Sequence, residues 1–123
     1  MDNKEKNRLK QQRWRERHRE ENLNKVKQWI KDNPVEYRAM YLIQNYKRDD
    51  KLHNRGECTL TADWIIDNIF TSKCRYCEET DWRELGCDRI DNDSPHTPDN
   101  VIPCCKECNR KRGNMSYEEF IKK

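Results

Sequence analysis

Long apolar runs are missing from this sequence. The opening residues, MDNKEKNRLK, contain nothing that could serve as a signal peptide or a membrane span, so we expect an intracellular chain with reduced thiols. Apolar residues are scarce throughout: AVILMFWYC make up 33% of the 123 residues, against roughly 45–50% in ordinary globular chains even when Gly is counted. That excludes a large core and leaves room for one small domain with an appendage. Glycine is rare too, with none before Gly56, so little interrupts a helix in the Lys-, Arg-, Glu- and Gln-rich first third.

Cysteine, by contrast, is plentiful. Seven cysteines in a chain without a secretory signal point to a metal as the staple a small core needs, rather than to disulfides. Basic charge is the other excess, and it is local. The chain carries only +3 overall, yet residues 1–20 hold Lys4, Lys6, Arg8, Lys10, Arg13, Arg15, Arg17 and Arg19 against Asp2, Glu5, Glu16 and Glu20. A second cluster, Lys106, Arg110, Lys111 and Arg112, lies beside the last cysteine pair. Such clusters attract polyanions through phosphate neutralisation and counterion release, although the N-terminal run equally suits a solvated helix face.

Several signals place helices. Asn33-Pro34-Val35-Glu36 reads as a helix start, with Asn33 as cap and Glu36 completing a capping box. The helix over 34–48 should bury a stripe of Tyr37, Met40, Tyr41 and then Ile43 or Tyr46. Upstream, Leu9, Trp14, Leu23, Val26, Trp29 and Ile30 make a stripe too thin for an independent fold. Residues 49–56, DDKLHNRG, read as a polar linker. Thr61 opens a short helix whose Trp64, Ile65, Ile69 and Phe70 should supply most of the core. A hairpin is expected over about 85–103, then a helix from Lys106 ending before Gly113. Ser116-Tyr117-Glu118-Glu119 begins a last helix that turns Phe120 and Ile121 inward.

Cys74-Arg75-Tyr76-Cys77 and Cys105-Lys106-Glu107-Cys108 are two CxxC pairs, which together make a closed tetrahedral thiolate site for one structural zinc ion. Zinc binding to such knuckles is worth roughly 10–16 kcal/mol, comparable to the whole stability of a domain. Spacing to Cys108 favours Cys105 over Cys104, and Cys104, Cys58 and Cys87 are left as packing residues. About 15–20 residues usually separate such pairs; here 27 lie between Cys77 and Cys105, enough to hold a β-hairpin inside the staple.

The insert runs from GCDRIDNDSPHTPDNVIP into CCKECNRKRGN. With DRIDN, TPDNVIPCC, CNRKRGN and SYEEF in this order beside the CxxC knuckles, residues 58 to 121 resemble the HNH, or ββα-metal, nuclease superfamily, in its Asp-Arg variant with a four-cysteine structural zinc site. The resemblance implies an α+β, mostly helical chain: a basic helical arm over 1–52 that extends the DNA contact, then a zinc-stapled ββα-metal domain over 53–123. By position, Asp88 and Asn109 would hold the catalytic cation, Mg²⁺ or Mn²⁺, and Asn100 would tie the hairpin loop. Arg89 stands where most members carry a general-base His, a role that arginine, always protonated, cannot fill. The Asp-Arg variant implies that Tyr76 assists or orients the attacking water, that His53 approaches metal or phosphate, and that Arg89 clamps the phosphate. His96, in the hairpin loop, is either another base or a turn-packing residue. Arg110, Lys111 and Arg112 are candidates for flanking phosphates, and Arg13, Arg15, Arg17 and Arg19 for a groove.

The implied function is a metal-dependent endonuclease that nicks or cleaves double-stranded DNA in the cytoplasm of a bacterial or phage-infected cell, without a membrane partner. Whether two copies pair as a homodimer on DNA is left open. The alternative is a non-catalytic, zinc-stapled nucleic-acid-binding module on the same scaffold.

Overall fold

In the computed structural model, which describes residues 2–122, two compact units divide at Pro34 and Val35. The expected boundary at 52/53 falls one helix later. The first unit is a 30-residue helix, α1 (Asn3–Asp32), with Asp2 Oδ1 accepting from the Glu5 amide at 2.9 Å as its cap. None of its residues is buried. Asn33 closes α1 through its own amide and side-chain Nδ2, both donated to the Trp29 carbonyl, where the sequence suggested that it opens the next helix.

The second unit begins with α2 (Pro34–Leu52), which runs four residues beyond the expected end. The apolar stripe expected on it is displaced: Tyr37, Met40 and Tyr41 are exposed. The inward face is instead Val35, Ala39, Leu42, Ile43, Tyr46 and Asp50. These positions obey the helical period, but the face mixes small, apolar and charged side chains. A search for large apolar residues therefore selects the wrong side. Arg38 fastens α2 to the next elements, donating from Nε to the Trp82 carbonyl and from Nη2 to the Leu85 carbonyl.

α3 (Ala62–Asn68) starts where Thr61 Oγ1 accepts from the Trp64 amide and buries Ile65, with Ile69 and Phe70 following it into the core. β1 (Leu85–Arg89) and β2 (Val101–Cys105) pair antiparallel, Leu85 opposite Cys105 and Asp88 opposite Ile102. Cys58, Cys87 and Cys104 pack in this core. Tyr46 reaches the hairpin edge, its Oη accepting from the Cys87 amide at 2.8 Å. A Cβ at Gly86 would stand 3.0 Å from that oxygen, so glycine is what lets the tyrosine approach.

α4 (Lys106–Arg112) follows β2 directly, and α5 (Tyr117–Ile121) closes the chain with Ser116 Oγ accepting from the Glu119 amide. Gly113 ends α4 at φ +53°, a left-handed conformation that favours glycine. Phe120 packs against the core as expected, whereas Ile121 remains exposed. The second unit is a small α+β arrangement of one hairpin and a following helix set among other helices. No helix among the described residues is long and apolar enough to cross a membrane.

Candidate active site

The four cysteines of the CxxC pairs converge. Sγ atoms of Cys74, Cys77, Cys105 and Cys108 all lie within 4.8 Å of one another, with Cys77 and Cys105 at 3.5 Å. A tetrahedral zinc with bonds of roughly 2.3 Å requires sulfurs about 3.8 Å apart, so the group could hold a metal ion. Cys105 also caps α4, its sulfur accepting from the Cys108 amide. One residue therefore ends the strand, starts the helix and joins the cage.

That junction sets Asn109 beside the strand carrying Asp88. Both residues line a cavity of about 420 Å³, together with Arg89 from β1, Arg48 and Asp49 from α2, and His96 from the hairpin loop. Asp88 is nearly buried and uses one oxygen for protein contacts: Oδ2 accepts from Tyr76 Oη at 2.7 Å and from Arg112 Nη1 at 2.5 Å. Neither Oδ1 nor the Asn109 amide has a hydrogen-bond partner among the described residues. No buried side-chain oxygen or nitrogen there lacks a partner, so both groups reach open space.

Tyr76 is held by aromatic contacts, edge-on to Phe120 at 4.6 Å and tilted against Tyr117 at 6.2 Å. Burial first, and the bond to Asp88 second, push its phenol well above the usual value, so it stays protonated as a donor. Arg112 departs from the expected outward role beside phosphate. It is 1% exposed, and besides Asp88 it donates to the Arg89 carbonyl, Asn92 Oδ1 and the Met115 carbonyl. Its position four residues after buried Cys108, on the same helical face, was the sequence signal for burial.

Arg89 donates to the Asn92 carbonyl and has no carboxylate partner among the described residues. Burial and then repulsion from Arg55 lower its pKa from the usual arginine value, and the guanidinium stays charged. Asn100 spans the hairpin loop: Oδ1 accepts from the Asp91 amide, and Nδ2 donates to the carbonyls of Asp91, Ser94 and Pro95. His53 lies elsewhere. It is exposed just after α2, bonded to Asp49 of the first cavity, and itself lines a neighbouring cavity with Arg55 and Asp91 that shares Arg89 with the first. Arg110 and Lys111 are exposed on α4, the latter paired with Glu107, and Arg13, Arg15, Arg17 and Arg19 are exposed along α1.

Sequence reasoning missed Asp50. It is fully buried where a linker was expected, with His96 Nδ1 at 2.9–3.0 Å, the His96 amide at 2.8 Å and Arg55 Nη1 at 3.3 Å. Its place four residues after Tyr46 and seven after Ile43 puts it on the inward face of α2.

Among solved structures, the rare-cutting HNH restriction endonuclease PacI matches with a TM-score of 0.52 over 68% of this chain and 71% of that one, at 20% identity. Over that stretch the chain has an HNH-like fold. No protein-family model matches the sequence, and no curated protein does either. Within this HNH fold, Asp88 and Asn109 stand on the strand and helix that the cysteine cage brings together.

Proposed function

We propose that the chain is a metal-dependent endonuclease that hydrolyses phosphodiester bonds in double-stranded DNA. The observation that carries this reading is the meeting of Asp88 and Asn109, each with a free oxygen, in one cavity beside the unpaired cation Arg89. Oxygen donors of this kind suit a hard ion such as Mg²⁺ or Mn²⁺, which keeps several waters and completes its shell with phosphate. When bound, that ion supplies Lewis acidity and charge neutralisation at the phosphate. Zinc suits the four thiolates and has a structural role, since no ligand position there stays open.

The chain's own residues have separable tasks. Tyr76 and Arg112 fix Asp88 by occupying Oδ2, which leaves Oδ1 for the cation. Tyr76 in this arrangement orients the carboxylate, and its contact with the attacking water is indirect. Arg89, with Arg48 lining the same cavity, holds the phosphate and offsets the charge of the pentacoordinate transition state. Arg110 and Lys111 contact flanking phosphates, which position the duplex without reading its sequence.

Arg89 in place of a base is also what a non-catalytic DNA-binding module would tolerate. Incubation of the zinc-loaded protein with supercoiled plasmid and Mg²⁺ or Mn²⁺ separates the two. Nicking that disappears in Asn109→Ala, with zinc retained at one per chain, is the expected result. Tight DNA binding with no cutting under any divalent ion would overturn the nuclease reading.

A further inference from the structure

The chain has three histidines, and only one belongs to the candidate site. His18 bonds the Trp14 carbonyl within α1, and His53 lines the other cavity. His96 lines the cavity of Asp88, Arg89 and Asn109. We propose that His96 is the proton acceptor for the attacking water, with Asp50 as its positioning residue, and that this pair from the hairpin loop and α2 does the work Arg89 cannot do. The proposal rests on the nuclease reading above.

The geometry fixes both the tautomer and the ring. Asp50 offers only acceptor oxygens to Nδ1, so Nδ1 carries the hydrogen and Nε2 keeps the lone pair. Tyr46 stacks on the imidazole at 4.2 Å and 13°, which sets its plane. Nε2 has no partner among the described residues and is not sealed, and the space His96 borders is the cavity itself. A purely structural pin would not need that nitrogen, because Asp50 already holds the loop through the His96 amide.

The charged groups around the ring are Asp50, Asp49 and Arg48 from α2, Arg55 after it, and Asp88 and Arg89 from β1. Burial lowers the His96 pKa from its usual value, opposed by Asp50, which favours the neutral ring that can accept a proton. In the step itself, the water oxygen forms the new bond to phosphorus as one of its protons passes to Nε2. The ester oxygen leaves with the electrons of the broken P–O bond and is protonated from solvent, and His96 returns its proton to solvent. A positioned base typically contributes about 10²–10⁴-fold.

His96→Asn is the discriminating variant, because its amide keeps a donor to Asp50 where Nδ1–H stood and removes Nε2. Single-turnover nicking should fall by about 10²–10⁴-fold, and the acidic limb of the pH–rate profile should vanish while zinc content and urea midpoint hold. A second measurement needs no variant: nitrogen NMR of the zinc-loaded protein at neutral pH should find Nδ1 protonated and Nε2 bare, a preference that Asp50→Asn should erase. A proton on Nε2, or wild-type nicking by folded His96→Asn, would overturn the proposal while leaving the nuclease reading intact. If the unaltered protein cuts nothing, the nuclease reading fails and takes the role of His96 with it.

Discussion

Arg112 alone joins four acceptors from a strand, a loop and the turn after its own helix, and its guanidinium compensates a carboxylate that is 7% exposed. Removing one partner of a buried pair costs more than the pair contributes, because the other charge is left without compensation. Arg112→Ala should therefore lower unfolding free energy in urea by about 3–5 kcal/mol, whereas Lys111→Ala, on the exposed side, should change it by no more than about 0.5 kcal/mol. Equal effects would mean that the buried pair does not hold the site. At this scale the sequence was legible in residue type and less so in direction. The order Asp88, Asn100, Asn109 could be read from motif alone, since each sits at a fixed offset from a turn or a cysteine. Arg112 was harder, because a basic run looks alike whichever member faces inward, and only its helical offset from Cys108 marks it out.

Elements were legible where their ends carry local chemistry. Thr61 and Ser116 cap their helices as their side chains suggested, and Gly113 ends α4. α2 was misjudged because its inward face depends on distant partners: Ala39 is buried by its neighbours, and Asp50 by a histidine 46 positions away. Its polar end, Asp49 to Leu52, looks like linker until His96 is seen to need it. α5 is five residues long and too short to be stable alone; its use is to set Phe120 against Tyr76. Phe120→Ala should thus reduce plasmid nicking by loosening a tyrosine that holds Asp88, with DNA affinity at low salt nearly unchanged. Full activity in that variant would detach the terminal helix from the site.

For the whole molecule, two dependences follow, one on salt and one on metal. Deleting residues 1–30 should flatten the slope of log affinity against log salt by about 0.9 for each phosphate that the shortened chain no longer neutralises, and an unchanged slope would take α1 out of the DNA interface. Loss of the cage should be more drastic, because the roughly 10–16 kcal/mol of zinc binding matches or exceeds the stability of a domain this size. Cys77→Ser should lose its near-ultraviolet circular dichroism along with its zinc, and a folded, active Cys77→Ser protein would refute the cage as staple. The two CxxC pairs made this tier the easiest to read, whereas the division at Pro34 was hidden because α1 and α2 share one helical composition.

The position of the cage along the chain also bears on how the hairpin is held together. Cys77 and Cys105 bracket the hairpin, so an ion held by both pairs would close a loop of 27 residues around it. Coordination would offset the entropy of that closure and leave the pairing of the two strands a local matter inside a tethered ring.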